Sequence, residues 1–191
     1  MLINEYLNDL IRLINSNDVT DKIIKVSEQL IGKNNKIFLF GNGASNLIAN
    51  HGVLGFTNLL GKKCLTLNDP SLITAFSNDF GYEHIFKRYL QLHSEEQDVV
   101  ILISSSGTSK NMIEAAKIAK TKKCFVVTFT GFHEDNPLKQ FGDINFWVDS
   151  NNYNIVESIH NSWVVLIAEN ISNDDKRIGL HGLDTEHFGK S

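Results

Sequence analysis

The chain has 191 residues, of which 42% are hydrophobic and 21% charged, and its formal net charge is −4. This size and composition are typical of one globular domain with a substantial core. The absence of a basic stripe argues against a nucleic-acid partner. No apolar run reaches about 18 residues, so no membrane span is expected.

Asn4 and Glu5 interrupt the apolar N-terminus, which is unlike a signal peptide. Cys64 and Cys124 are isolated in apolar runs, so we expect reduced thiols and a cytoplasmic location.

Apolar residues at helical spacing open the chain. This pattern runs over residues 2–30 and is interrupted at Ser16-Asn17-Asp18, which predicts two helices. Apolar and β-branched runs then predict five strands, at residues 36–40, 64–67, 98–103, 124–129 and 144–148. Further helices are predicted at residues 45–60, 71–92 (with a break near residues 79–81), 110–120 and 154–171.

Continuous apolar strands separated by helices indicate a parallel sheet that is covered on both faces. We therefore predict an α/β fold, a three-layer sandwich with a five-stranded parallel sheet of flavodoxin-like or Rossmann-like type. One domain would comprise N-terminal helices in residues 1–33, an α/β core in residues 34–171 and a polar C-terminal tail in residues 172–191. Ligands of such sheets bind at the carboxyl ends of the strands.

The third predicted strand ends in a hydroxyl-rich loop, Ser104-Ser105-Ser106-Gly107-Thr108-Ser109, and a predicted helix follows directly. Free backbone N–H groups and the positive end of the helix dipole point at such a loop. Serine hydroxyls add donors that can surround a phosphate monoester. The pattern therefore predicts a phosphate site.

The first predicted strand ends in a glycine turn, Gly41-Asn42-Gly43-Ala44-Ser45-Asn46. It lacks the third glycine of a dinucleotide fingerprint, and Asp69 is a late candidate for the acidic residue of that fingerprint. The turn is either a dinucleotide site, a plain strand-to-helix turn, or the second wall of a phosphosugar site. The phosphosugar alternative fits best, with Ser45 as a helix N-cap whose hydroxyl faces the ligand.

Five sequence blocks, in this order, resemble a sugar isomerase (SIS) domain. They are Gly41-Asn42-Gly43-Ala44-Ser45, His51, Ser77-Asn78-Asp79-Phe80-Gly81, the serine loop from Ile103 to Ser109, and Glu157-Ser158-Ile159-His160. Within that superfamily the chain resembles the phosphoheptose isomerases, which interconvert sedoheptulose 7-phosphate and a manno-heptose 7-phosphate. The resemblance covers the chain as far as Ile171. It implies a homotetramer with sites between subunits, and a role in lipopolysaccharide or capsule precursor synthesis.

The resemblance also implies roles for individual residues in binding a sugar phosphate. The residues that would hold the phosphate are Ser104, Ser105, Ser106 and Ser109. The residues that would line the sugar are Asn42, Gly43, Ala44, Asn78 and Asp79. An alternative for Asn78 and Asp79 is a helix-breaking turn without a ligand role.

Two positions depart from the family pattern. The family carries His and, four residues later, Glu on the helix after the glycine turn, whereas here His51 is followed by Gly55. On the closing helix it carries Gln and, eight residues later, His, whereas here Glu157 is followed by Val165. The usual glutamate base and histidine are therefore absent. The family zinc site lacks two of its four ligands, so no metal or other cofactor is expected.

Other side chains could supply the missing acid–base groups. Glu157 places a carboxylate where the family has a neutral glutamine, and His160 lies three residues further on the same helical face. We predict Glu157 as the base, with His51 or His160 assisting, through a cis-enediolate; any bound metal would use these three residues. Structural alternatives are a His160 bonded to a backbone carbonyl, a Glu157 at the surface or between subunits, and a His51 packed under the glycine turn.

The sequence thus favours a phosphosugar aldose–ketose isomerase. Gly55 and Val165 favour a second interpretation, a catalytically silent SIS protein that binds a sugar phosphate as a regulator or protein-interaction scaffold. A third, a nucleotide-dependent oxidoreductase, predicts that the chain binds NAD.

Overall fold

The computed structural model describes residues 3–16, 18–31 and 33–174. Its centre is a five-stranded, all-parallel sheet with the strand order β2-β1-β3-β4-β5. The strands are β1 (Ile37–Gly41), β2 (Cys64–Leu65), β3 (Val99–Ser104), β4 (Phe125–Gly131) and β5 (Ile144–Val148). Edge strand β2 ends at Leu65, two residues before its predicted end, and pairs with β1 through two residues.

Helices account for most of the remaining described residues. They are α1 (Ile3–Ile14), α2 (Val19–Leu30), α3 (Ala44–Leu60), α4 (Pro70–Phe80), α5 (Ile85–His93), α6 (Lys110–Thr121) and α7 (Tyr153–Asp174). Two short 3-10 helices, Tyr82–His84 and Pro137–Phe141, lie between them. The predicted break in the fourth helical segment is confirmed at Gly81, whose φ of +85° ends α4.

Side chains of the central strands alternate between two apolar cores. Leu39 and Ile101 point to the core formed with α1, α2, α3 and α7, whereas Phe40 and Leu102 point to the core formed with α4, α5 and α6. Each of these four side chains is fully buried. The predicted α/β fold with three layers is thus confirmed, and α1 and α2 extend the layer that contains α3 and α7.

The direction of chain progression reverses between β1 and β3. From β1 the chain first adds β2 on one side and then crosses to β3, β4 and β5 on the other. Gly41 pairs with Ile103, so the loops that follow β1 and β3 leave the sheet side by side. Ligands of open α/β sheets bind at this kind of crevice.

Helix α7 continues to Asp174, three residues beyond its predicted end. Residues 175–191, which include most of the predicted polar tail, lie outside the described part of the chain. The division into residues 1–33, 34–171 and 172–191 therefore stays a prediction. In the described ranges, no helix is long and apolar enough to cross a membrane.

Candidate functional site

The serine loop after β3 forms a compact turn in which hydroxyl groups bond to one another. Gly107 adopts a φ of +64°, and its N–H donates to the Ser104 carbonyl oxygen at 3.0 Å. The Ser104 hydroxyl donates to Ser109 Oγ at 3.1 Å, and Ser106 Oγ lies 2.9 Å from Thr108 Oγ1. Such hydroxyl groups can rotate towards an anion without breaking a helix or strand hydrogen bond.

The N-terminus of α6 opens onto this loop. Ser109 is the N-cap residue, yet its side chain does not cap the helix, and the first turn contains no acidic residue. The N–H groups of that turn and the helix dipole therefore favour a bound anion. Ser105 is buried, and among the described residues its hydroxyl has no hydrogen-bond partner. A phosphate oxygen could supply that partner.

Asn136, in the connection between β4 and β5, supports the serine loop from behind. It is buried, and a Cβ atom at Gly107 would overlap its side chain. Its Nδ2 donates to Thr130 Oγ1 at 3.1 Å and to the His133 carbonyl oxygen at 2.9 Å. The Leu138 N–H also donates to the Gly107 carbonyl oxygen at 3.0 Å. Sequence reasoning missed Asn136, because its role depends on a contact between distant segments.

The glycine turn after β1 is tight and leads directly into α3. A Cβ atom at Gly41 would overlap the backbone of Ser45, whereas one at Gly43 would meet nothing within 4 Å. Gly43 is the N-cap residue, with φ of +56°, and both Gly43 and Ala44 are exposed. The prediction of Ser45 as the N-cap is therefore wrong, because α3 begins one residue earlier and buries Ser45 in its first turn.

Asn42 joins the two loops through a hydrogen-bonded cluster. Its Nδ2 donates to Asn111 Oδ1 at 3.0 Å, and Asn111 Nδ2 donates to Asn42 Oδ1 at 2.8 Å. The Tyr82 hydroxyl also donates to Asn42 Oδ1, at 2.9 Å. Asn111 is buried in α6, whereas Tyr82 belongs to the short helix after α4 and is half exposed. Sequence reasoning missed both partners of Asn42.

Asn78 and Asp79 lie in the last turn of α4 and are exposed. The Asn78 amide donates to Asp79 Oδ1 at 2.9 Å. They are helical, so the alternative of a helix-breaking turn does not describe them; the break is at Gly81, after which Tyr82 reaches the Asn42 turn. Asp69, the acidic candidate of the dinucleotide interpretation, caps α4 by accepting from the Leu72 N–H at 2.9 Å.

His51 lies on the exposed face of α3, where this helix packs beside α7. Its Nδ1 is 2.8 Å from Asn161 Oδ1, a contact between the two helices. The ring is exposed and is not packed under the glycine turn. Because Asn161 Oδ1 can only accept, Nδ1 carries the hydrogen and Nε2 of the neutral ring keeps a free lone pair.

Glu157 precedes Asn161 by one turn of α7, so both side chains lie on the same helical face. Asn161, which contacts His51 and lies one turn from Glu157, thereby links both predicted residues to the surface formed by α3 and α7. Glu157 is partly buried, and this burial raises the pKa of its carboxyl group. A raised pKa makes a carboxylate a stronger base.

His160 lies in the core instead of the site. The ring is fully buried, packs edge-on against Phe129, and its Nε2 is 3.0 Å from the Thr130 carbonyl oxygen. Burial lowers the pKa of His160 to about 4. The structure thus corrects the acid–base assignment in favour of the structural alternative, since a neutral ring without access to solvent cannot exchange a proton with a sugar.

The buried state of His160 makes stability depend on pH. Its folded-state pKa of about 4 lies below the usual 6.5, so between these values the unfolded chain binds a proton that the folded chain excludes. We expect the free energy of unfolding to fall by roughly 3 kcal/mol as the pH drops through this window. Urea unfolding at about pH 7 and about pH 4.5 should show a much smaller fall in His160→Leu, whereas the exposed His133→Gln should behave like the parent chain. An undiminished fall in His160→Leu would contradict this assignment.

The two departures from the family pattern lie where α3 and α7 approach each other. A Cβ atom at Gly52 would come within 2.7 Å of Leu39 and 2.8 Å of Val164, so close packing requires that glycine. A Cβ atom at Gly55 would meet only Ala168, at 3.6 Å, which is an ordinary contact. Packing around the backbone therefore leaves room for a Cβ atom at position 55.

The donor set does not fit the family zinc site. Gly55 has no side chain and Val165 offers no ligand atom. Within residues 3–16, 18–31 and 33–174, no three His, Cys, Asp or Glu side chains are placed to hold a metal ion. The conditional set of His51, Glu157 and His160 is not assembled, because the His160 ring lies in the core.

Comparison with known proteins identifies the same family on independent grounds. The SIS domain family model matches residues 5–131. A probable phosphoheptose isomerase of Thermoplasma acidophilum is 35% identical over 158 residues, covering 78% of this chain and 86% of the relative. The phosphoheptose isomerase of Fusobacterium nucleatum is 31% identical over 157 residues, covering 80% of each chain. These matches confirm the resemblance found in the sequence blocks.

Solved structures agree with the fold. A phosphoheptose isomerase from Francisella tularensis superposes with a TM-score of 0.81 at 24% identity, covering 90% of this chain and 94% of that one. The enzyme from Neisseria gonorrhoeae superposes with a TM-score of 0.79 at 24% identity, covering 90% and 97%. At this level of identity the superpositions establish the shared fold.

Proposed function

We infer that this chain, which belongs to the SIS domain family, is an aldose–ketose isomerase of the phosphoheptose isomerase type that acts on sedoheptulose 7-phosphate. One observation on the candidate site supports this inference. The hydroxyl-lined loop after β3 and the Asn42 turn after β1 lie side by side at the point where strand order reverses. The chain thus combines an anion site and a polar sugar surface within one crevice.

We propose that the phosphate binds in the serine loop, against the N-terminus of α6. The serine loop supplies the hydroxyl groups of Ser104, Ser105, Ser106 and Ser109, and the first turn of the helix supplies N–H groups. The sugar then extends along the glycine turn towards α3. Asn42 and the exposed backbone at Gly43 face it there.

The reaction transfers one proton between adjacent carbons and one between their oxygens. We propose that the Glu157 carboxylate takes a proton from C1 of the ketose, which leaves a cis-enediolate, and returns it to C2. The His51 ring moves a proton from the C1 hydroxyl to the former carbonyl oxygen, with Nε2 as the exchanging atom and Asn161 holding Nδ1. The raised pKa of Glu157 supports its role as base.

We propose that this chemistry proceeds without zinc, because Gly55 and Val165 cannot coordinate a metal. Prolonged dialysis against a chelator should leave kcat/KM for sedoheptulose 7-phosphate unchanged within twofold, and elemental analysis of active protein should find less than one zinc per ten chains. A chelated enzyme that loses its activity and regains it with zinc would contradict the proposal.

We also propose a homotetramer with sites between subunits, as the family resemblance implies. Exposed apolar side chains support it: Leu47 and Leu54 flank His51 on α3, with 71% and 57% of their surfaces exposed, and Leu166 is exposed on α7. Neighbouring subunits would bury these side chains and enclose the surface that carries His51 and Glu157.

We place the enzyme in the cytoplasm, in the supply of heptose precursors for lipopolysaccharide or capsule. A phosphorylated sugar is charged and does not cross a lipid bilayer unaided, so its isomerase must share its compartment. Cys64 and Cys124 form no disulfide, which agrees with a reducing location.

The decisive experiment incubates purified protein with sedoheptulose 7-phosphate and follows the aldose product by NMR, with and without added zinc. We expect product in both samples. Tight binding without product would instead select the silent binding protein, which Gly55 and Val165 had favoured in the sequence. A parallel titration with NAD should show no binding.

A further inference from the structure

We propose that Asn111 is a positioning residue, which fixes the hydrogen-bond polarity that the Asn42 turn offers to the sugar, and that Tyr82 orients Asn42 and also accepts a hydrogen bond from the sugar. The inference rests on the proposed function, because it assumes that a phosphosugar occupies the crevice between β1 and β3. It concerns the hydrogen-bonded series Met112–Asn111–Asn42–Tyr82, of which the proposed function uses Asn42 alone.

This hydrogen-bonded series begins at the backbone N–H of Met112, which fixes the orientation of the Asn111 amide. The Met112 N–H donates to Asn111 Oδ1 at 3.0 Å, and a backbone N–H can only donate. The Asn111 amide therefore keeps its oxygen on that side, within the first turn of α6. Because Asn111 is buried, its Nδ2 is directed to Asn42, to which it donates at 2.8 Å.

This contact determines the orientation of the Asn42 amide in turn. Its Oδ1 accepts from both Asn111 Nδ2 and the Tyr82 hydroxyl, so both oxygen lone pairs are used. One N–H of Asn42 Nδ2 is bonded to Asn111 Oδ1 at 3.0 Å. The second N–H remains, so Asn42 faces a ligand as a donor only.

Tyr82 faces the ligand as a hydrogen-bond acceptor, whereas Asn42 faces it as a donor. Its hydroxyl hydrogen is committed to Asn42 Oδ1 at 2.9 Å, and 52% of the residue surface is exposed. The phenol oxygen therefore offers lone pairs to a ligand and no hydrogen. The two residues together suit a sugar oxygen that accepts a hydrogen bond beside a sugar hydroxyl that donates one.

The test uses Tyr82→Phe, which removes the acceptor and keeps the ring. Calorimetry should show an affinity for sedoheptulose 7-phosphate that is about 3- to 10-fold weaker, since one hydrogen bond to a neutral group is lost. Affinity for inorganic phosphate, which depends on the serine loop and the backbone N–H groups of α6, should not change. KM should rise by the same factor with kcat within twofold. The matched control Tyr89→Phe, on the buried face of α5, should match the parent chain.

A second variant, Asn111→Leu, releases the Asn42 amide while leaving the backbone N–H groups of α6 in place. We expect a loss of sugar phosphate affinity at least as large as in Tyr82→Phe, again with phosphate affinity kept. Side-chain amide NMR signals of Asn42 should shift in both variants and not in Tyr89→Phe.

The outcomes separate the inference from the proposed function. If the parent chain binds sedoheptulose 7-phosphate but Tyr82→Phe binds it equally well, the positioning role is overturned and the proposed function stands. If phosphate affinity falls together with sugar affinity, the two residues only support the fold, which also overturns the inference. A parent chain that does not bind the sugar phosphate overturns the proposed function, and the inference with it.

Discussion

Turnover of sedoheptulose 7-phosphate falls by about 100- to 10,000-fold in Glu157→Gln, the range expected when a general base is removed. The amide has nearly the shape of the carboxylate, so the surface formed by α3 and α7 keeps its packing and only the proton acceptor is lost. Affinity for the sugar phosphate should stay within threefold, since Glu157 on α7 lies outside the serine loop before α6, where we propose that the phosphate binds. Single-turnover kinetics and calorimetry measure the two quantities separately.

Glu169→Gln is the matched control for this experiment. Glu169 lies on the same helix, twelve residues further along, and is also partly buried. It should keep the parent rate. Equal losses of binding and turnover in Glu157→Gln would assign Glu157 a structural role, and an unchanged rate would require another base.

The acidic side of the pH–rate profile provides a further measurement of the same group. Burial raises the pKa of Glu157, so the rate should fall with decreasing pH at a higher pH than an exposed glutamate would give. The residual rate of Glu157→Gln should lack this dependence. A parent profile that is flat down to the ordinary pKa of a glutamate would contradict the assignment.

Gly107→Ala is expected to disable the phosphate site. Gly107 has a φ of +64°, and an added Cβ would overlap the buried Asn136, whose side chain is fixed by hydrogen bonds to Thr130 and His133. The left-handed backbone and the lost hydrogen bonds together predict a destabilisation of about 2–4 kcal/mol. Affinity for inorganic phosphate should fall at least tenfold, because the loop can no longer present its hydroxyl groups together.

Gly61→Ala is the control for Gly107→Ala: it measures the loss of stability caused by a Cβ atom at a positive φ, away from the proposed phosphate site. Gly61 has a φ of +61° at the end of α3, and a Cβ there would meet nothing within 4 Å. It should lose about 1–2 kcal/mol of stability without a change in phosphate affinity. If Gly107→Ala lost no more affinity than Gly61→Ala, the placement of phosphate in the serine loop would be wrong.

Several parts of the site follow from local sequence. The short, β-branched apolar run at residues 99–103 favours a buried central strand, and the serines that follow then lie at its carboxyl end. Gly81 stops α4 because a left-handed residue cannot continue a helix, and this break was visible in the sequence. Hydrophobic patterning thus predicted the layers, the strands and the position of both loops.

Other parts depended on contacts between distant segments. Glu157 and His160 are three residues apart on α7. The Glu157 side chain is partly exposed, whereas the His160 side chain is fully buried. Helical periodicity cannot separate them, because α7 is covered by α1, α2 and α3 on several sides. Likewise, Ser45 and Gly43 are both acceptable N-cap residues, and the tight turn at Gly41 decided between them.

The sequence by itself determined that this chain has an α/β fold and that a serine-rich loop lies between a central strand and a helix N-terminus, because both depend on local patterning and backbone chemistry. It also determined that Gly55 and Val165 cannot act as base or ligand. Only the tertiary structure decided which polar groups meet: Asn42 with Asn111 and Tyr82, His51 with Asn161, and His160 with a core carbonyl. Hydrogen bonds between distant segments depend on how the layers pack, and one-dimensional spacing does not encode that packing.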